Sequence, residues 1–287
     1  MEKKYGVVVC SNAATDYLEE AKGITVFRSV IIFGDDEYND YVDLKASDFY
    51  GRCQNDKQAF PHTAYVSRGF MLETFENMKK EGYDGAFVIT IASSLSGLNN
   101  AVKLAGEEIS DFEVISYDSR SLSYPEAKMA IIARDMFEKG ASLEAVVEKL
   151  DYIRDHNHVI FAVDTLEYLI KNGRLSKFKG ALAKILNIRP CLHIAKDGKV
   201  ESLETARTSK KARRLMVDKF FEEVKDKNVE AFFVNTNNDE GIAEAKAYLE
   251  EKGYDTKSIK TCMLTPVVGA HAGPGTIGLG YIEIEEE

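Results

Sequence analysis

Short apolar runs alternate with amphipathic stretches through the first half of the chain. The run at residues 86–91, AFVITI, is rich in β-branched residues and shows no polar alternation, which is typical of a strand buried on both faces of a parallel sheet. Runs at 5–10 and 113–117 are also followed by small polar residues, and the apolar positions of 124–138 are spaced for a helix that packs on a sheet. This alternation predicts an N-terminal three-layer α/β/α domain with a mainly parallel sheet.

The pattern changes after a predicted connecting helix at residues 142–155. Beyond it there are fewer strand–helix–strand units and more hairpins, such as the one that joins 190–195 to 199–203. A further helix is predicted at 178–186, and two final strands are predicted to flank a glycine-rich turn. We therefore expect an α/β protein of two domains, the second a two-layer domain with a mixed sheet. The predicted domains are residues 1–155 and residues 156–287.

Charge and cysteine usage narrow the class of protein. The 287 residues carry a formal net charge of −10, which argues against nucleic acid or an anionic membrane surface as the main partner. The four cysteines lie far apart without a C-x-x-C pair, so we expect neither a disulfide framework nor a metal site. No apolar run approaches the ~18–20 residues of a membrane helix, and the N-terminus lacks a signal-peptide pattern. We expect a cytoplasmic protein without integral membrane contact.

Small polar residues follow the predicted parallel strands, where ligands bind in open α/β sheets. Ser11 follows the first strand, and Ser93, Ser96 and Gly97 lie between the 86–91 strand and a helical pattern that starts at Leu98. Unpaired backbone N–H groups and the positive end of a helix dipole favour an anion at such a place, and serine hydroxyls add donors. An ordinary serine N-cap is the alternative explanation. Three serines and a glycine in five residues favour a ligand site for a carboxylate or a phosphate.

Four other positions could carry chemistry. Thr63 lies in a polar segment, Arg174 follows a glycine that permits a sharp turn, and Arg207 opens a basic run that precedes a helix. His271 lies among several glycines, which implies close backbone approach around an imidazole. Each residue also has an ordinary explanation. Thr63 could be a solvated hydroxyl and Arg174 part of a helix C-cap. Arg207 could lie on a solvated helix face, and His271 could be a structural histidine.

Five motifs, taken together, resemble the DegV family. They are the loop L-S-G at Leu95, the run D-T-L-E-Y-L-x-x-x-G-R-L-S from Asp164, N-I-R-P-x-L from Asn187, R-T-x-K-K-A from Arg207, and G-x-H-x-G-P-G from Gly269. The DegV family comprises bacterial fatty-acid-binding proteins of the kind that serve as the binding subunit of a fatty acid kinase. The motifs fall in family order and, with Thr63, extend over residues 63–278.

The resemblance implies two α/β domains that hold one long-chain fatty acid between and within them. Thr63, Ser93 and His271 match the residues that meet the carboxylate, and Arg174 and Arg207 match arginines near the head group and on the surface that docks the kinase. A separate ATP-dependent kinase would form the acyl phosphate, so this chain would be a carrier with no catalytic residue, no metal and no cofactor besides the lipid. The expected ligand-binding residues are Thr63, Ser93, Ser96, Gly97, Arg174, His271 and Gly273.

The sequence departs from the family pattern in two loops. The usual T-S-Q-P-S loop is T-A-Y-V-S here, from Thr63 to Ser67, which keeps only the first and last hydroxyl. The usual L-S-G-T-Y run continues as Leu98 and Asn99, so a threonine and an aromatic residue are replaced. These changes bear on which acyl chain fits the site.

Two alternative functions remain open on the sequence. A serine-dependent acyl hydrolase or transferase could use Ser93 or Ser96, although the glycine that precedes the serine in a nucleophile elbow is missing and His271 has no obvious acidic partner. A small phosphorylated ligand would also suit the serine loop and the arginines. Nucleotide binding is not expected, because the chain has no G-x-x-x-x-G-K-[ST] motif.

Overall fold

The computed structural model describes residues 3–55, 60–175 and 188–285. The predicted helix at 178–186 lies outside these described residues. The described strands are β1 Tyr5–Cys10, β2 Thr25–Phe27, β3 Val30–Phe33, β4 Asp36–Asn39, β5 His62–Ala64, β6 Gly85–Thr90, β7 Glu113–Asp118, β8 Asn157–Ala162, β9 Arg189–Ile194, β10 Val200–Ala206, β11 Val229–Asn235, β12 Lys260–Met263 and β13 Ile277–Glu283. The described helices are α1 Ala46–Asn55, α2 Arg68–Lys80, α3 Leu98–Gly106, α4 Tyr124–Glu138, α5 Leu143–Asp155, α6 Glu167–Lys171, α7 Ser209–Val224, α8 Asp239–Glu251 and α9 Pro266–Ala272.

The first sheet is entirely parallel in the described part of the chain, with strand order β2-β1-β6-β7. Both β1 and β6 are buried along their whole length because helices cover both faces. Val8 packs with apolar residues of α2 and α3, whereas Val9 on the opposite face packs with those of α4 and α5. The predicted three-layer α/β/α arrangement is confirmed.

A small antiparallel sheet of β4, β3 and β5 adjoins this domain. The turn between β3 and β4 contains Gly34, which adopts a φ of 62°. The polar segment around Thr63, residues 60–70, contains β5 and the start of α2. A three-residue strand is too short to show alternation, and β5 exists through its pairing with β3, which places Thr63 opposite Ile31.

The second sheet is mixed, with strand order β10-β9-β8-β13-β11-β12 in the described part of the chain. Helices α7 and α8 cover one face, where Phe220 packs against Phe233 and its neighbours. The opposite face, with Val159, Phe161 and Val234, joins the apolar core of the N-terminal part of the chain. The mixed sheet with one helical layer confirms the predicted architecture. The domain boundary between residues 155 and 156 stays a prediction, and it falls between α5 and β8.

The glycine-rich segment near the C-terminus is helical at its start. The sequence was interpreted as a turn between two strands, but α9 occupies Pro266–Ala272 before β13 begins. Gly269 allows α9 to approach α1, because a Cβ added at Gly269 would lie 2.5 Å from the ring hydroxyl of Tyr50. That hydroxyl donates to the carbonyl of Leu264, 2.7 Å away, just before the helix.

No helix among residues 3–55, 60–175 and 188–285 combines the length and apolar character needed to cross a membrane.

Candidate functional site

A cavity of about 410 Å³ lies between the two larger sheets. Its size is within the range of small-molecule sites, roughly 300–1,000 Å³. Most of its lining is apolar and comes from both parts of the chain, including Ile91, Leu98, Leu122, Phe161, Val234 and Val268. A site with such walls suits a hydrocarbon, since burial of apolar surface is its main source of binding free energy.

Thr63 and His271 form a polar pair in the cavity wall. The hydroxyl Oγ1 of Thr63 lies 2.9 Å from Nε2 of His271. The pKa of His271 is lowered to about 3, first by burial and then by the neighbouring Arg174 and His62. The imidazole is therefore neutral near neutral pH, with one nitrogen donating and the other accepting. Its Nδ1 is buried without a hydrogen-bond partner among the described residues.

Arg174 contributes a positive charge to the same wall. It follows Gly173, which has a φ of 77°, so the chain reverses after α6 and the half-buried guanidinium faces the cavity. Its Nε donates to the carbonyl of Leu95 at 3.0 Å and another N–H donates to that of Asn172 at 2.5 Å. No described carboxylate pairs with it, and burial lowers its pKa. A guanidinium has five N–H donors, so the described bonds leave several for an anion.

The serine loop contributes Ser96 and Gly97 to the cavity wall, together with Leu98. The hydroxyl of Ser96 accepts from the amide of Leu98, the first residue of α3, at 3.2 Å. Ser93 does not line the cavity. Its side chain is exposed, and its backbone amide donates to Oδ1 of Asp118 at 3.1 Å. Of the two predicted loop serines, Ser96 is the one that lines the same cavity as Thr63 and His271.

Two further residues from the sequence prediction lie outside the cavity lining. Gly273 has a φ of 79°, and a Cβ there would lie 2.8 Å from the ring of Tyr168, so it shapes the turn behind His271. Arg207 is exposed between β10 and α7. The helix beyond it is capped by Thr208, whose hydroxyl accepts from the amide of Lys211.

The sequence interpretation missed several residues at the site. Asn172 holds the polar end together, because its Nδ2 donates to the carbonyls of Ala270 and Pro61 and its Oδ1 lies 3.1 Å from Nδ1 of His62. Asn12 and Ser123 also line the cavity. Their positions in the sequence could have identified them. Asn12 follows the carboxyl end of β1, and Ser123 comes shortly after the carboxyl end of β7, where ligands bind in open α/β sheets.

The described residues do not form a serine hydrolase site. His271 contacts the hydroxyl of Thr63 and not a serine, and no histidine of the described ranges hydrogen-bonds to the hydroxyl of Ser93 or Ser96. The thiol of Cys10, which lines the cavity, is also a poor nucleophile because burial raises its pKa to about 12. Groups of three or more histidine, cysteine or acidic residues suited to a metal ion are not found in the described parts of the chain.

The chain was compared with known protein families and structures. The family model described as "uncharacterised protein, DegV family" matches residues 5–284. A DegV domain-containing protein of Halalkalibacterium halodurans is 31% identical, covering 91% of this chain and 92% of that protein. A fatty acid-binding protein of Thermotoga maritima is 33% identical, covering 83% of each.

A solved structure shows the same fold. It is that of a stearic acid-binding protein from Eubacterium ventriosum, which is 26% identical and superposes with a TM-score of 0.79 over 97% of this chain and 98% of that chain. The family match spans both sheets and the cavity between them. The chain belongs to the DegV family.

Proposed function

We propose that this protein binds one long-chain fatty acid, with the carboxylate at Thr63, His271 and Arg174 and the acyl tail in the apolar part of the cavity. The observation that carries the proposal is a cavity with two kinds of wall. In one part a half-buried arginine without a described acidic partner lies with a neutral Thr–His pair, and most of the remaining wall is apolar. Ser93 and Ser96 were both expected to bind the ligand, and in this proposal Ser96 supplies the loop hydroxyl because Ser93 does not line the cavity.

The head-group site suits a carboxylate in both charge and hydrogen bonding. A half-buried guanidinium without a counter-ion is unfavourable, and a carboxylate restores charge balance while accepting two N–H bonds. With Nε2–H of the neutral His271 donating to Oγ1 of Thr63, the hydroxyl proton of Thr63 is left to donate to the same anion, so the pair supplies one further donor. A neutral ligand would leave the charge of Arg174 unbalanced.

The tail region suits an alkyl chain. Each methylene buried against residues such as Leu122, Phe161 and Val268 contributes about 0.8 kcal/mol, so a long chain binds tightly with only one polar anchor. The similar proteins from Thermotoga maritima and Eubacterium ventriosum, described as binding fatty acid and stearic acid, support the same ligand class here. A small phosphorylated ligand fits less well, because most of the cavity wall offers no hydrogen bonds.

We further propose that the bound fatty acid is presented to a separate ATP-dependent kinase in the cytoplasm, which forms the acyl phosphate. The absence of a P-loop motif from the sequence supports a carrier that does not itself bind ATP. The exposed basic residues Arg207, Lys210 and Lys211 at the start of α7 suit an acidic face of such a partner. Arg213 is excluded from this surface because it pairs with Glu244.

Calorimetric titration of delipidated protein tests the proposed ligand. Stearic acid and stearyl alcohol share the same tail, so the difference in their affinities isolates the carboxylate site. We expect saturable binding of one stearic acid per chain and at least about tenfold weaker binding of the alcohol, since hydrogen bonds to charged groups contribute about 1.5–3 kcal/mol. Equal affinity for both, or no binding of either, contradicts the proposal.

A further inference from the structure

Asn172 holds the end of α9 that carries His271. Its side-chain Nδ2 donates to the carbonyl of Ala270, 2.8 Å away, and Ala270 directly precedes His271. A helical carbonyl ordinarily accepts from the N–H four residues further along the chain, but that position is Pro274, which has no N–H. From the end of α6, Asn172 therefore supplies a partner for the last turn of α9. This bond fixes the backbone from which His271 projects.

The same side chain holds the strand that carries Thr63. Nδ2 of Asn172 also donates to the carbonyl of Pro61 at 3.3 Å, and its Oδ1 lies 3.1 Å from Nδ1 of His62. Because the amide nitrogen faces two carbonyls, the amide oxygen is the acceptor, and Nδ1 of His62 carries the hydrogen. Pro61 and His62 directly precede Thr63. One amide group thus joins β5 to α9.

The arginine of the head-group site is also bonded to Asn172. The backbone carbonyl of Asn172 accepts from Nη1 of Arg174 at 2.5 Å, and Nε of Arg174 donates to the carbonyl of Leu95 at 3.0 Å. The guanidinium is therefore held at two points, and one of them is Asn172. Binding groups must be kept within a narrow range of positions, and supporting hydrogen bonds of this kind keep them there.

We propose, resting on the proposed function, that Asn172 is the positioning residue of the head-group site and sets the selectivity of the protein for a carboxylate. Asn172 itself does not line the cavity. It acts by keeping Thr63, His271 and Arg174 where one carboxylate can meet all of them. The acyl tail is bound by apolar residues elsewhere in the wall, so loss of the Asn172 side chain affects the binding of the acid and leaves tail binding intact.

Calorimetric titration of the full chain with stearic acid and stearyl alcohol tests this inference. In Asn172→Ala we expect about tenfold weaker binding of the acid, the effect of losing one charge-assisted hydrogen bond, and little change for the alcohol. Asn157→Ala is the matched control. Nδ2 of Asn157 likewise donates to two carbonyls at a helix end, those of Ile153 and Arg154 at 2.9 Å each, but none of its described bonds reaches a head-group residue.

A second comparison separates positioning from a general loss of stability. If Asn172 acts through Arg174, Asn172→Ala should weaken acid binding clearly less in an Arg174→Gln background than in the wild type, because effects that pass through one group are not additive. A purely structural role predicts the same fold loss in both backgrounds. Alcohol binding reports on folding in every variant.

A milder variant covers the case in which Asn172→Ala does not bind the alcohol and is therefore misfolded. Asn172→Gln keeps an amide but displaces it by one methylene, so the same loss of acid affinity is expected from it. In that case, selectivity for the acid equal to that of the wild type contradicts the inference.

The outcomes distinguish this inference from the proposed function. If the wild type prefers the acid and Asn172→Ala keeps that preference, the inference is wrong and the fatty-acid proposal stands. Equal losses in Asn172→Ala and Asn157→Ala, or a loss that is unchanged in the Arg174→Gln background, also overturn it. If the wild type binds acid and alcohol equally, or binds neither, both proposals fail.

Discussion

Thr63 and His271 are 208 residues apart in the sequence, and their side chains meet with 2.9 Å between Oγ1 and Nε2. Thr63 is carried by β5 in the small antiparallel sheet, whereas His271 is carried by α9 just before the strand β13. The head-group site therefore forms only when the N-terminal and C-terminal parts of the chain pack together. The cavity beside this pair is also lined by residues from both parts of the chain. Ligand binding therefore requires that the two larger sheets stay packed together.

Thr63→Val should weaken fatty-acid binding by about 10- to 100-fold while the protein remains folded. Valine has nearly the shape of threonine but cannot donate to a carboxylate, and a hydrogen bond to a charged group contributes about 1.5–3 kcal/mol. Calorimetric titration measures the change. Thr74→Val is the control, since the Thr74 hydroxyl bonds only to the carbonyl of Phe70 on the exposed face of α2. Equal loss in both variants would show that the effect is not specific to the site.

Arg174→Gln should lower the affinity for stearic acid by about 10- to 100-fold, with a much smaller change for stearyl alcohol. The expected loss follows from removing a charge-assisted hydrogen bond, about 1.5–3 kcal/mol. The selectivity for acid over alcohol is the quantity to measure. Arg207→Gln provides a control at an arginine outside the cavity. If Arg174→Gln affects the acid and the alcohol equally, Arg174 contributes to packing and not to carboxylate recognition.

Asp40 should make folding stability decrease as the pH rises from about 4 to about 7. Asp40 is fully buried, and burial raises its pKa to about 7, against the opposing influence of Ser11 and Thr265. The folded state therefore keeps a proton that the unfolded state loses near its ordinary pKa of about 3.9, so this contribution to stability is present at low pH and lost by pH 7. Urea unfolding of wild type and Asp40→Asn at a series of pH values measures it.

The variant Asp40→Asn should lack the pH-dependent contribution of Asp40 to folding stability. The difference in unfolding free energy between Asp40→Asn and wild type should shift in favour of the variant as the pH rises through this range. Both proteins contain the same other titrating groups, so their contributions cancel in the difference in unfolding free energy. A difference that stays constant with pH would contradict the raised pKa of Asp40.

Gly269→Ala should destabilise the fold by about 1–3 kcal/mol, the usual effect of overpacking. A Cβ at Gly269 would lie 2.5 Å from the ring of Tyr50, which is fully buried and cannot move away freely. Gly51→Ala in α1 is the matched control, because nothing lies within 4 Å of the added Cβ. Removing a helical glycine there should stabilise by up to about 1 kcal/mol. If Gly269→Ala and Gly51→Ala change the free energy of unfolding in urea equally, a clash between the new Cβ and Tyr50 is excluded as the cause.

The elements that could be predicted from the sequence are those in which local pattern and tertiary packing agree. The buried strands β1 and β6 read as continuous apolar runs because helices cover both of their faces, and α4 has the predicted bounds because its apolar spacing matches the sheet below it. Helix α9 could not be predicted, since Gly269 at its centre and the glycines that follow it disfavour a helix, and its contact with Tyr50 is visible only in three dimensions.

The candidate site could also be predicted from the sequence only in part. The motifs around Thr63, Arg174 and His271 indicated residues that the structure does bring together at one cavity. The sequence could not decide between the loop serines, because the direction of Ser93 and Ser96 depends on how the loop continues into α3 and on the bond from Ser93 to Asp118. Asn12 and Ser123 were not predicted to line the cavity, because their approach to it depends on how the two parts of the chain pack together.

Native mass spectrometry of the protein as purified, followed by denaturing extraction and identification of any released lipid, tests the central claim most directly. The proposed function predicts a mass excess of one long-chain acyl group per chain that is lost on denaturation and recovered as a fatty acid. The excess should be reduced in Arg174→Gln and retained in Arg207→Gln. A protein that is empty as purified and does not take up added fatty acid would contradict the claim.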